Sequence, residues 1–155
     1  MKILFVYPET PVTYWGFQHA LKFVSKKAAF PPLGLLTVAS MLPEYFETKL
    51  IDINIEKLKD CDIRWADYVF ISAMVVQKES VRDIIDRCRK LGVKTVAGGP
   101  LFTSEFENYD DVDHLVLNEG EITMPQFLHD LEHGVPKHIY SSADWADMRM
   151  PPVPK

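Results

Sequence analysis

Cysteine is scarce in this chain. Cys61 and Cys88 are the only two, and they stand too far apart to form a motif. That excludes a disulfide framework, a structural zinc site and an iron–sulfur cluster held by this chain alone. A reduced, cytoplasmic setting is the simplest expectation. Long apolar runs are missing too. None reaches the roughly 18 residues that a membrane span needs. The opening "MKILFVYPET" has one lysine and an apolar stretch too short for a signal peptide. Positive charge is in deficit: 17 Lys and Arg face 22 Asp and Glu, for a net charge of −5. The basic residues fall in small groups such as Lys22, Lys26 and Lys27, without a stripe. No electrostatic case for nucleic acid exists.

Glycine is also absent where nucleotide binders need it. The segment after the first apolar run reads "YPETPVTYWG", with prolines in place of G-x-G-x-x-G, and there is no P-loop. A phosphoacceptor domain would need an aspartate where Ser72 stands. Nothing in the sequence places a Ser–His or Cys–His pair at one site, so no catalytic residue is assigned and no activity is expected of this chain alone.

What the chain does have is alternation. The runs "KILFVY" (2–7), "TKLIDI" (48–53), "DYVFIS" (67–72), "KTVAG" (94–98) and "DHLVLN" (113–118) read as short strands covered on both faces. Between them lie helical patterns over 31–44, 79–92 and 123–134. The second carries Val81, Ile84, Ile85, Cys88 and Leu91 as one stripe and ends at Gly92. The third has Thr123 as candidate N-cap and Pro125 in its first turn. The pattern predicts an α/β domain with a flavodoxin-like, Rossmann-like doubly wound sheet of five parallel strands, in the order 2-1-3-4-5. Two segments break the alternation. Residues 8–30 are an insertion carrying Tyr14, Trp15, Phe17 and Phe23. Residues 135–155 end in "MPPVPK" and read as a linker.

Ligands of such sheets bind outside the carboxyl ends of the strands. The candidate rim is therefore Tyr7 and Pro8 after the first strand; Asp52 and Asn54 after the second; Ser72, Met74, Val75 and Gln77 after the third; Gly98, Gly99 and Pro100 after the fourth, with Thr103 beyond; and Asn118, Glu119, Gly120 and Glu121 after the fifth. It is rich in small and backbone-exposing residues, which suits a large ligand held by amides and hydroxyls against an apolar wall from Met74 and Val75. Blander readings stand beside it. Gly98–Gly99 fits a tight strand–helix turn, Ser72 a turn hydroxyl, Asp52 and Asn54 turn formers, and Glu119 and Glu121 carboxylates at a helix start.

The ordered segments "YPETP", "PPLGLLTVASMLP", "LIDINIE", "WADYVFIS", "SAMVVQ", "AGGPLFTS" and "VLNEGE" resemble the N-terminal cobalamin-binding domain of cobalamin-dependent radical S-adenosylmethionine enzymes. The resemblance runs over about 2–134. It implies that the corrin ring lies across the strand ends and that the nucleotide tail enters beside the third and fourth strands. Gly98 and Gly99 would leave room for the tail, Ser72 would bond its base or linker, and Thr103 and Ser104 its ribose or phosphate. Asn118 to Glu121 would border the corrin.

The family resemblance further implies a methyltransferase. Its iron–sulfur cluster, S-adenosylmethionine and catalytic barrel would lie outside this chain, so the expectation is a module cut before its own C-terminal radical domain. One departure is sharp. Cobalamin domains of the methionine synthase type carry Asp-x-His-x-x-Gly after strand one, and "YPETPV" has no histidine. The expectation is base-off cobalamin without a histidine ligand, with Tyr7, Pro8 or water below the cobalt. The rivals are a degenerate scaffold domain and a flavin-binding flavodoxin-like domain.

Overall fold

The structure, a computed structural model, describes residues 1–11 and 31–146. The expected insertion lies almost wholly outside these residues, as do its aromatic residues at 14–23 and the last nine positions of the chain.

The five expected strands form, and all are parallel. They are β1 (Lys2–Tyr7), β2 (Glu47–Asp52), β3 (Tyr68–Ser72), β4 (Lys94–Gly98) and β5 (His114–Val116). A sixth, β6 (Ile139–Tyr140), extends the sheet to the order β2-β1-β3-β4-β5-β6. The expected fold thus carries one strand more than the five expected, drawn from two residues of the segment 135–155. Two residues are too short for any alternation to show. They are held by backbone and one anchor: Leu115 N–H donates to His138 O at 2.7 Å and Leu117 N–H to Tyr140 O at 2.8 Å. Tyr140 is buried edge-on against Phe127, with ring centroids 5.5 Å apart. Its hydroxyl donates to Asp130 Oδ2 at 2.9 Å.

Among the described residues the α-helices are α1 (Leu33–Met41), α2 (Asp60–Trp65), α3 (Lys78–Leu91), α4 (Pro100–Glu105) and α5 (Gly120–Glu132). Each central strand sends alternate apolar residues to opposite faces. Leu4, Val6, Val69, Ile71 and Ala97 meet α2, α3 and α4 in one core; Ile3, Phe5, Tyr68, Phe70 and Val96 meet α1 and α5 in the other. This double covering is why the strands read as unbroken apolar runs. Helix α3 matches its predicted stripe and ends on Gly92 at φ +69°. Within that core, burial pushes the Cys88 thiol up to about 12. Helix α5 starts three residues before the expected Thr123. Thr123 lies inside it, with its hydroxyl donating to Leu117 O and Glu119 O at 3.2 and 3.0 Å.

Candidate functional site

A cleft of ≈ 220 Å³ opens at the carboxyl edge of the sheet, between the face made by β3, β4 and β5 and the helices α1 and α5. It is too small for the roughly 300–1,000 Å³ sites that enclose a whole organic ligand. It has room for a bicyclic ring, since one water takes only about 30 Å³.

Seven of the sequence-predicted residues meet there: Ser72, Gly98, Gly99, Pro100, Asn118, Gly120 and Glu121. Ser72 ends β3, and its hydroxyl has no hydrogen-bond partner among the described residues. Among the described residues, Glu121 is the one charged side chain on the lining. It sits in the first turn of α5, where the amides of Gly120 and Glu121 precede the first intrahelical bonds, made by Ile122 and Thr123 N–H to Glu119 O. Asn118 turns the chain at φ +61°. Its N–H donates to Thr103 Oγ1 at 3.0 Å, and its side chain donates to Ser142 O at 2.7 Å.

The two glycines serve the fold as well as the cleft. A Cβ on Gly98 would stand 2.6 Å from Val116 O of the neighbouring strand. Gly99 adopts φ +90° and ψ −179°, a conformation open to glycine almost alone, and a Cβ there would meet Ser72 Oγ at 2.8 Å. The tight-turn reading and the cleft-lining reading thus hold together: missing side chains let the chain pass, and the bare backbone borders the cleft.

The other predicted residues go elsewhere. Gln77, expected at the ligand, is buried and tied at both ends. Its Oε1 accepts from Met74 N–H at 2.9 Å, and its Nε2 donates to Pro8 O at 2.7 Å and Thr10 Oγ1 at 3.2 Å. Pro8 is buried beneath it, its carbonyl also accepting from Asn54 Nδ2 at 3.1 Å. Tyr7 packs half-buried against the α1–α5 core. Asp52 and Asn54 form the turn that was one of their two readings, with Asn54 N–H on Asp52 Oδ1 at 2.9 Å. Met74 and Val75 stand on the rim, 55% and 50% exposed, with Val76 beside them at 59%. Thr103 and Glu119 border a second hollow on the other side of Asn118, with Ser142 to Trp145. Ser104 is turned back on its own helix, donating to Pro100 O at 2.9 Å.

One wall was not assigned from the sequence residue by residue. Helix α1 contributes Gly34, Leu35, Thr37, Val38 and Met41, and α5 adds Met124. The signal was present in "LGLLTVASM": a helix apolar on every side, opened by a glycine that costs helix stability. Such a helix covers more than a core. Gly34 faces Ser72, and a Cβ on it would sit 3.6 Å from that hydroxyl, in ordinary contact.

The model of the B12 binding domain matches residues 24–128. The chain belongs to the B12-binding domain family. The matched span of this B12-binding domain runs from before α1 into α5, and so takes in every wall of the cleft. Over its whole length the chain is 36% identical to an uncharacterized methyltransferase of Synechocystis sp., covering 29% of that protein. It is 32% identical to a hopanoid C-2 methylase of Rhodopseudomonas palustris over 99% of its length, covering 30% of that protein. The B12-binding domain thus spans under a third of the length of these curated relatives. Among the described residues no helix is long and apolar enough to cross a membrane.

Proposed function

We propose that this chain is the cobalamin-binding module of a methyltransferase of the radical S-adenosylmethionine type. The observation that carries the reading is the cleft itself. In a member of the B12-binding family, an open, apolar, nearly uncharged slot lies at the carboxyl edge of the sheet beside a serine hydroxyl that bonds to no described residue.

The residues fit the group. A slot between α1, α5 and the sheet suits the heteroaromatic base of the nucleotide tail, with Phe70 and Val96 as one wall and Leu35 and Val38 as the other. Ser72 has a hydroxyl unbonded among the described residues to offer the base or its linker. The first-turn amides of α5 suit the tail phosphate. Met74, Val75 and Val76 expose apolar surface on the rim, where a corrin would lie. No histidine lines the cleft among the described residues, and we take the cofactor to be held base-off without one. When bound, cobalamin supplies a methyl group carried on cobalt. The chain's own task is to bind the cofactor, bury its tail and orient its upper face.

The cluster, the S-adenosylmethionine and the catalytic barrel belong, in this reading, to a further domain that works against the corrin. A reducing cytoplasmic compartment is the matching location. Mixing the chain with hydroxocobalamin and desalting tests the central claim. A retained corrin spectrum near stoichiometry is expected. A protein that emerges colourless after cobalamin and yellow after flavin mononucleotide would replace this reading with the flavin one; colourless after both would favour a scaffold.

A further inference from the structure

The walls of the cleft are nearly free of hydrogen-bonding side chains. Val38 and Met41 face it from α1, Phe70 and Val96 from the sheet, and Met124 from α5. Phe70, Val96 and Met124 are buried at 1%, 2% and 4% exposure, so this apolar surface belongs to the core and does not rearrange freely. Against it stand two hydroxyls, Thr37 and Ser72, neither bonded through its side chain among the described residues. Asn118 donates one of its two amide protons to Ser142 O, and Glu121 sits at the helix start. Two hydroxyls can satisfy one or two polar atoms of a guest. By themselves they cannot satisfy the full edge of a purine laid against the Phe70 and Val96 wall.

We propose that this cleft sorts corrinoids by the base on their nucleotide tail. It accepts bases with hydrocarbon edges, of the benzimidazole or phenol type, and discriminates against adenine. The inference rests on the cobalamin reading above and adds a selectivity to it. Adenine brings an exocyclic amine and additional ring nitrogens. Buried against valine, phenylalanine and methionine, these lose water and gain no partner. A methylated benzimidazole or a cresol has a single heteroatom edge for Ser72 or Thr37 to meet. The thioethers of Met41 and Met124 adapt to ring substituents and favour aromatic neighbours. Apolar pockets reject a polar near-isostere by roughly a hundredfold at most, so the expected penalty for adenine is about tenfold to a hundredfold in Kd.

The test titrates the 155-residue chain with three corrinoids that differ only in the base: 5,6-dimethylbenzimidazolyl, p-cresolyl and adeninyl forms. Binding is followed by the corrin spectrum and by quenching of tryptophan fluorescence. The first two should bind within about threefold of each other, and the adeninyl form about tenfold to a hundredfold more weakly. Adeninyl binding within threefold of the dimethylbenzimidazolyl form overturns the selectivity and leaves the cobalamin reading standing. Failure of all three to bind overturns the cobalamin reading, and the selectivity with it. The variant Val38→Thr adds one hydroxyl to the wall at nearly constant volume. It should narrow the gap at least threefold, and an unchanged gap overturns the assignment of discrimination to this wall.

Discussion

At the carboxyl ends of β1 and β2, the polar groups are tied to other parts of the chain. At the ends of β3, β4 and β5 they border open space. On the first side, Asn54 joins Asp52, Pro8 O and Thr10 N–H through bonds of 2.7–3.1 Å, and Gln77 reaches across from the β3 loop to fasten Pro8 and Thr10. On the second side, Ser72 and Thr37 face a cleft with their hydroxyls unengaged by described residues, and glycines stand where side chains would fill space. A polar residue at a strand end is therefore not a ligand contact by location alone. What separates the two sets is whether the chain itself has already used the hydrogen-bonding capacity.

The residues where the two regions meet should be the least tolerant. Gly99 lies between Ser72 and Ala73 at φ +90°, with a Cβ predicted 2.8 Å from Ser72 Oγ and 3.2 Å from Ala73 N. Gly99→Ala should cost about 3 kcal/mol or more, from backbone strain and overpacking together. Urea denaturation followed by circular dichroism measures it. A loss under about 1 kcal/mol would mean the turn can relax and that the glycine is there for the ligand only.

Next in size comes the tied region. Gln77→Ala removes three hydrogen bonds and leaves Met74 N–H and Pro8 O short of partners in a buried setting. About 2 kcal/mol of stability should go, seen as a lower urea midpoint at unchanged m. If stability held while cobalamin affinity fell, Gln77 would belong with the open region after all.

The sequence showed the sheet because its strands are buried on both faces, and burial writes itself as continuous apolar runs: Ile3 to Val6 and Val69 to Ile71 are each at most 2% exposed. It showed one side of the cleft, since Ser72, Gly98, Gly99, Pro100, Asn118, Gly120 and Glu121 follow directly from where strands end. It did not distinguish Ser72 from Gln77. Both are polar residues at the carboxyl end of β3 or just beyond it, and only their three-dimensional partners separate them. Nor did it show β6, whose two residues depend on the hydroxyl of Tyr140 reaching Asp130 on α5. The α1 wall was legible only as a helix with too much apolar surface. Its place opposite Ser72 comes from the packing of that helix on the sheet.

The open region can be probed by filling it. Gly34 is exposed on α1, and its missing Cβ would meet Ser72 Oγ at an unstrained 3.6 Å. Gly34→Ala should stabilise the helix by about 0.5–1 kcal/mol. Gly34→Phe should leave the far-ultraviolet spectrum intact while placing a ring at the mouth of the cleft, and cobalamin affinity should drop at least about tenfold, about 1.4 kcal/mol. Retained affinity in a folded Gly34→Phe protein would move the tail-binding site away from this cleft.

The smallest effect separates the regions most cleanly, because it predicts opposite responses to the same kind of change. Ser72→Ala deletes a hydroxyl that no described residue bonds, at the end of a strand whose backbone pairing with Gly98 is untouched. Its stability should shift by less than about 0.5 kcal/mol, as for a substitution away from any buried network. Cobalamin affinity should fall by about threefold to tenfold, the worth of one hydrogen bond of about 0.5–1.5 kcal/mol. In the tied region the signature inverts. Asn54→Ala should cost about 1–2 kcal/mol of stability, because Thr10 N–H and Pro8 O lose a partner, with affinity little changed once the protein is folded. Measuring melting and cobalamin titration on both variants gives four numbers. If Ser72→Ala melts early and binds normally, the hydroxyl is a turn element and the open side of the rim is as self-contained as the other.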